Sequence, residues 1–188
     1  MRTRTLTLTL IATVAAVTIG IAATPVGARA HAAPYCGIRW GSLVKAVPDY
    51  TIGSFTNVRA GRHSCYDRLV LDVAGPVTGY HVQYVSQVVQ DGSGFTVPLR
   101  GGAYLEVIVH VPAYDAATGR STYVPADLDE LVNVSGFRTF RQVASAGSFE
   151  GQTAVGLGVR ARLPFRVFVL AGPSTGSRVV VDVAHRWS

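Results

Sequence analysis

The sequence predicts an all-β protein, a two-sheet β-sandwich of about 8–10 short strands. Three observations carry that expectation. Two six-residue runs, Arg68-Leu69-Val70-Leu71-Asp72-Val73 and Arg178-Val179-Val180-Val181-Asp182-Val183, share one pattern of arginine, apolar residues, aspartate and valine. Both are rich in β-branched residues, which suit a pleated, half-buried surface. Between them, alternating apolar and polar residues recur at strand spacing, separated by Gly, Pro and Asp-Gly turn signals. No long window carries helical periodicity.

Each element follows from local pattern. With a side-chain period of two, Leu69, Leu71 and Val73 share one face, and Arg68 and Asp72 the other. The run at 178–183 divides in the same way, so cross-strand Arg–Asp pairing is expected on the outer face. Tyr80, Val82 and Tyr84 mark the next strand, and Asp91-Gly92-Ser93-Gly94 a hairpin turn before a short strand over 95–99. The clearest alternation is Ala103, Leu105, Val107, Val109 and Val111, ended by Pro112. A polar loop then spans 114–123. Asp127 to Leu131 is expected to form one helical turn with Asp127 as its N-cap. Short strands are expected over 132–134, 137–143, 152–159 and 165–170. Residues 31–66, broken by Pro34, Gly37, Gly41, Pro48, Gly53 and Gly61, are expected to be irregular, with Trp40 and Phe55 as pegs on the sandwich.

Residues 1–30 match a secretory signal peptide: a basic start at Arg2 and Arg4, an apolar run from Leu6 to Ala23, and Ala28-Arg29-Ala30 before cleavage. The alternative is a retained transmembrane helix, because the run nearly reaches spanning length. Cleavage leaves a single domain over 67–188 behind the 31–66 segment. It also removes three arginines and no acid, so the formal charge of +6 becomes +3. That is a mildly basic surface without a nucleic-acid footprint. The chain's two cysteines, Cys36 and Cys65, are expected to form a disulfide in an oxidising compartment. No cofactor and no metal are expected, since His31, His63, His81, His110 and His185 are scattered without ligand spacing.

Chemistry is scarce. Gly172-Pro173-Ser174-Thr175-Gly176 fits the nucleophile-elbow pattern, with Asp182 and His185 following it, but lies in a strand-to-strand loop rather than a strand-to-helix turn. Ser42-Leu43-Val44-Lys45 fits S-x-x-K without the partner motifs of penicillin-binding enzymes. These two matches motivate the alternative reading, a small secreted hydrolase acting on envelope material. No catalytic residue is assigned. The candidate ligand-binding residues are Arg160, Arg162 and Arg166, beside the turn at Leu163-Pro164-Phe165. Arginine forks match carboxylates and phosphates in geometry, but a solvated basic loop needs no ligand and is the favoured reading of the three on charge alone. As surface residues, all three are expected to be replaceable by Gln within about 0.5 kcal/mol of stability.

Cys65-Tyr66-Asp67-Arg68-Leu69-Val70-Leu71-Asp72, Gly79-Tyr80 with Val82, Asp91-Gly92-Ser93-Gly94, Phe149-Glu150-Gly151, Gly156-Leu157-Gly158, Pro164-Phe165-Arg166-Val167-Phe168 and the run at 178–183 together resemble the AMIN-like family of actinobacterial exported proteins and lipoproteins. The resemblance implies a two-sheet sandwich related to the AMIN domain of cell-wall amidases and secretins. It further implies a secreted, non-catalytic module, extracellular or wall-associated, that binds peptidoglycan or an envelope partner. A monomer is expected, and no membrane span once the leader is cleaved. Unlike lipoprotein relatives, the chain has no lipobox before Cys36.

Overall fold

The computed structural model describes residues 34–172 and 174–187. The expected leader over 1–30 lies outside them. Among the described residues, eleven strands follow a 3₁₀ turn at Tyr35–Gly37. They are β1 (Lys45–Val47), β2 (Ser54–Arg62), β3 (Tyr66–Ala74), β4 (Tyr80–Val85), β5 (Val88–Val89), β6 (Thr96–Val97), β7 (Ala103–Val109), β8 (Phe140–Phe149), β9 (Gln152–Val159), β10 (Phe165–Ala171) and β11 (Ser177–Ala184). A five-stranded sheet runs β1-β4-β7-β9-β8, a four-stranded sheet β10-β11-β3-β2, and β5 and β6 pair apart from both. All pairings are antiparallel.

The inner faces supply the core. Phe55, Val58, Leu69, Leu71, Phe165, Val179, Val181 and Val183 of one sheet meet Val82, Leu105, Val107, Val109, Phe140, Val143, Val155 and Leu157 of the other, all buried. Each such side chain contributes roughly 1.5–3 kcal/mol by leaving water. A second, smaller core forms outside the five-stranded sheet, where Val88 and Val97 of the β5–β6 hairpin cover Ala144, Ala146 and Ala154.

The two matched runs explain each other. β3 and β11 are direct neighbours, with Arg68 opposite Asp182 and Asp72 opposite Arg178. Antiparallel pairing of two Arg-x-x-x-Asp runs places each cation across from the other strand's acid.

The Gly156-Leu157-Gly158 block also has a steric reason. A Cβ at Gly158 would lie 2.0 Å from the Arg100 carbonyl oxygen, and one at Gly156 2.8 Å from Leu99 Cδ1. These positions let the segment before β7 cross close over β9.

Three expectations need correction. The 31–66 segment is not irregular throughout: it contains β1 and the nine-residue β2, and Phe55 is a fully buried strand residue. Residues 127–131 form no helical turn. The Asp127 carboxylate instead accepts from Asp129 N at 2.8 Å, while Leu131 N bonds Val143 O and Ser145 N bonds Leu128 O. The free edge of β8 offers this segment partners that a single helical turn cannot match. Residues 132–134 form no strand; a turn closes there by Phe137 N to Val134 O.

Candidate functional site

The four-stranded sheet presents its outer face beside the N-terminal segment, and the disulfide joins them. Cys36 and Cys65 are bonded, with Cα atoms 6.4 Å apart. Closing a loop of this length removes denatured-state entropy worth roughly 3–4 kcal/mol. It also brings Trp40 within 5.9 Å of the Tyr66 ring. The Trp40 indole is half-buried and donates to Tyr35 O at 2.9 Å, so it packs as a peg while keeping part of its surface open.

At the centre of this face lies Asp182, fully buried although it points outward from the sheet. Arg68 Nε and Nη2 donate to its two oxygens at 2.7 and 2.9 Å, and Arg166 Nε donates to Oδ2 at 2.8 Å. The three residues come from three adjacent strands in one row, β10, β11 and β3. Rings close over the guanidiniums. Arg166 lies 5.6 Å from the Trp40 ring centre, 5.4 Å from Tyr66 and 5.0 Å from Phe168. Arg68 lies 5.3 Å from Tyr66 and 5.5 Å from Phe168. Hydrogen bonding to Asp182 is the main cause holding the Arg68 guanidinium above its ordinary pKa. His63 stacks on the far side of this group, 4.5 Å from Tyr66.

The result is a preset surface in which two cations face one acid. The planes of the guanidiniums are covered by rings, and each arginine's Nε and Nη2 are engaged. Among the described residues the Nη1 groups have no partner, and they remain as donors for a carboxylate or phosphate. Four residues along the same ladder, Asp72 does not take Arg178; it accepts from Arg59 Nε and Nη2, both at 2.7 Å. Arg178 turns to Ala171 O. The expected cross-strand pairing therefore forms fully at one of its two positions.

The three arginines expected to act together diverge. Arg160 reaches the carbonyl of His185. Arg162 lies 4.8 Å from the Tyr84 ring and donates to Ser42 O at 3.4 Å. Only Arg166 joins the aromatic face. It is also not a plain surface residue, because it holds a buried carboxylate, so its replacement costs more stability than a surface change. Tyr66 and Phe168 were missed from sequence, while Arg68 was expected only as an ion-pairing residue and Trp40 as a packing peg. The repeat of arginine and aspartate in the two matched runs was the one available signal.

The enzyme-like matches are dispersed. Ser174 lies in the β10–β11 hairpin, closed by Gly172 N to Gly176 O. Asp182 lies about five residues along β11 from that turn, roughly 16 Å at strand rise. His185 Nε2 meets the buried Asp67 carboxylate at 3.2 Å instead. Lys45 lies in β1, its ammonium donating to Leu43 O and sitting over Phe165. Burial lowers its pKa. Among the described residues, no cluster of His, Cys, Asp and Glu could hold a metal ion, and no helix is long and apolar enough to cross a membrane.

These features define a β-sandwich module whose most developed outer surface combines arginines and aromatic rings. The profile of the AMIN-like domain family matches residues 53–185, and the chain belongs to that family of cell-envelope-related modules. No curated protein and no solved structure matches the chain significantly.

Proposed function

We propose that this chain is an exported, non-catalytic cell-envelope module that binds an anionic wall polymer through the outer face of its four-stranded sheet. The observation that carries the reading is the Arg68–Asp182–Arg166 row, clamped between Trp40, Tyr66 and Phe168 with two guanidinium edges left over. Preset donors lose little freedom on binding, and the half-buried Trp40 keeps part of its surface open beside them. Peptidoglycan stem peptides and wall glycopolymers supply carboxylates or phosphates beside sugars. Arg162, over Tyr84, and Arg160, on the His185 carbonyl, lie apart from this row and are not assigned to the binding face.

Co-sedimentation with purified cell wall tests this. Wild-type protein should be enriched over a size-matched control, and more so at low salt, where screening is least. Arg166→Gln leaves Arg68 on Asp182; once its folding is verified, it should lose about tenfold in wall binding. Wild-type binding no better than the control, or an undiminished Arg166→Gln variant at low ionic strength, would refute the assignment.

A further inference from the structure

An edge strand offers its unpaired N–H and C=O groups to any other extended chain, and stable proteins blunt such edges. The two main sheets end in four edge strands, β1, β8, β10 and β2. Three of them are blunted. β1 is three residues long and carries Lys45. β8 is covered by its own neighbouring loop, through Leu131 N to Val143 O and Ser145 N to Leu128 O. β2 has a register shift between Phe55 and Asn57, a bond from Phe55 N to Pro112 O, and the exposed Arg59 and Arg62.

β10 has none of these devices beyond its first residue. Phe165 N donates to Gly41 O at 2.8 Å, and there the N-terminal segment leaves the edge. It crosses the outer face at Trp40, over Arg166 and beside Tyr66, toward the Cys36–Cys65 bond. Phe165 N points away from β11, so by alternation the backbone groups of Val167, Val169 and Ala171 do too. Among the described residues, the only bond to these groups is from Arg178 Nη2 to Ala171 O. The side chains are open as well. Val167 and Val169 pack on the core yet stay partly exposed, whereas their β11 neighbours Val179 and Val181 are 0% exposed. Leu170, on the outer side, is 37% exposed. The single charge of β10, Arg166, is already held by Asp182.

We propose that β10 pairs antiparallel with β10 of a second copy of this chain, joining two four-stranded sheets into one of eight strands. The expected monomer is then only the dilute form. The open stretch suits its own copy in length and in charge. It runs from Val167, next to the Gly41 contact, to Ala171, where the Gly172–Gly176 turn begins. A two-fold axis at Val169 sets Val167 opposite Ala171 of the second copy and uses every outward backbone group. Phe168 then meets Leu170 of the second copy, an apolar cross-strand pair, and Arg166 meets no second cation. Antiparallel pairing of this kind keeps both outer faces on one side. The two Arg68–Asp182–Arg166 rows come to lie about 14 Å apart across the strands and about 20 Å apart along them. One wall polymer reaching both rows would be held by avidity without any new contact. That consequence rests on the proposed function; the pairing itself does not.

Sedimentation velocity of the protein recovered after export, from low micromolar to near-millimolar concentration, tests the pairing. The mass should rise from monomer to dimer across this range. Val169→Pro removes an outward N–H without touching the ladder to β11. Leu170→Lys, at an exposed position, sets an ammonium near Arg166 of the second copy. Each should weaken association about tenfold or more, with the melting temperature of the dilute protein unchanged in Leu170→Lys. A monomer at every concentration overturns the proposal, and so does a dimer that Leu170→Lys leaves undiminished. The wall assay keeps the two readings apart. A dimer that ignores cell wall refutes the arginine face alone, and a monomer that binds it refutes this edge alone.

Discussion

Asp182 offers the sharpest test of how the arginine face is built. Its carboxylate is fully buried, while Arg68 and Arg166 keep 23% and 31% of their side-chain surface exposed. Replacing Arg68 by Met removes two charge-assisted hydrogen bonds but leaves Asp182 with Arg166. The expected cost is about 1.5–3 kcal/mol, and Arg166→Met should cost about the same. Replacing both leaves a buried carboxylate with no cation, a stranded charge that costs roughly 3–5 kcal/mol and that neither single variant creates. The double variant should therefore be less stable than the two singles imply, by at least about 1 kcal/mol. At a typical slope of about 2 kcal/mol per molar urea, that is an extra midpoint shift of about 0.5 M. Adding Asp182→Asn to the double variant removes the stranded charge and should recover part of the loss. Urea unfolding of the four proteins and the triple variant measures all of this. If the double variant equals the sum of the singles within about 0.5 kcal/mol, the carboxylate is not shared, and the row is three independent side chains.

Two further outcomes follow from burial and close approach. The Tyr84 hydroxyl donates to Leu163 O at 2.6 Å and accepts from Leu163 N at 3.0 Å, and burial pushes its pKa from 10.0 up to about 12. The unfolded chain loses this proton first, so the contribution to stability is intact below pH 10 and is lost as pH rises toward 12. The loss is at most about 2–3 kcal/mol. Tyr80 and Tyr123, also raised by burial, act in the same direction. Urea midpoints at pH 9 and 11.5 should differ, and less so in Tyr84→Phe; equal midpoints would show that the hydroxyl is not buried as described. Gly158→Ala, whose Cβ would meet the Arg100 carbonyl, should cost about 1–3 kcal/mol or more by thermal denaturation. An unchanged melting temperature would mean that the segment before β7 yields freely.

The strands of the inner core were legible because alternation over Leu69–Val73, Leu105–Val111 and Val179–Val183 is a direct image of one buried face. β2 was not. Its register shifts between Phe55 and Asn57, which breaks the period of two, and Thr56, Asn57 and Arg59 make its outer side polar. The segment 127–134 misled for a different reason: its backbone is satisfied by β8, which local propensity cannot reveal. The arginine face was half legible. Two matched runs implied ion pairs, but the convergence of Trp40, Tyr66 and Phe168 depends on a disulfide and on sheet register.

From composition, the excess of arginine over lysine reads as genomic bias rather than ligand preference. The fold nevertheless makes use of what distinguishes the two side chains. Arg62, Arg68, Arg162, Arg166 and Arg186 all lie over aromatic rings. Arg68 and Arg166 hold a carboxylate in the plane of the group at the same time. An ammonium could sit over a ring, as Lys45 does over Phe165, but as a point charge it has no separate face and edge. A guanidinium can be stacked by its face, engaged along one edge and still present the other. That geometry lets the row around Asp182 be structural toward the sheet and keep donors toward solvent.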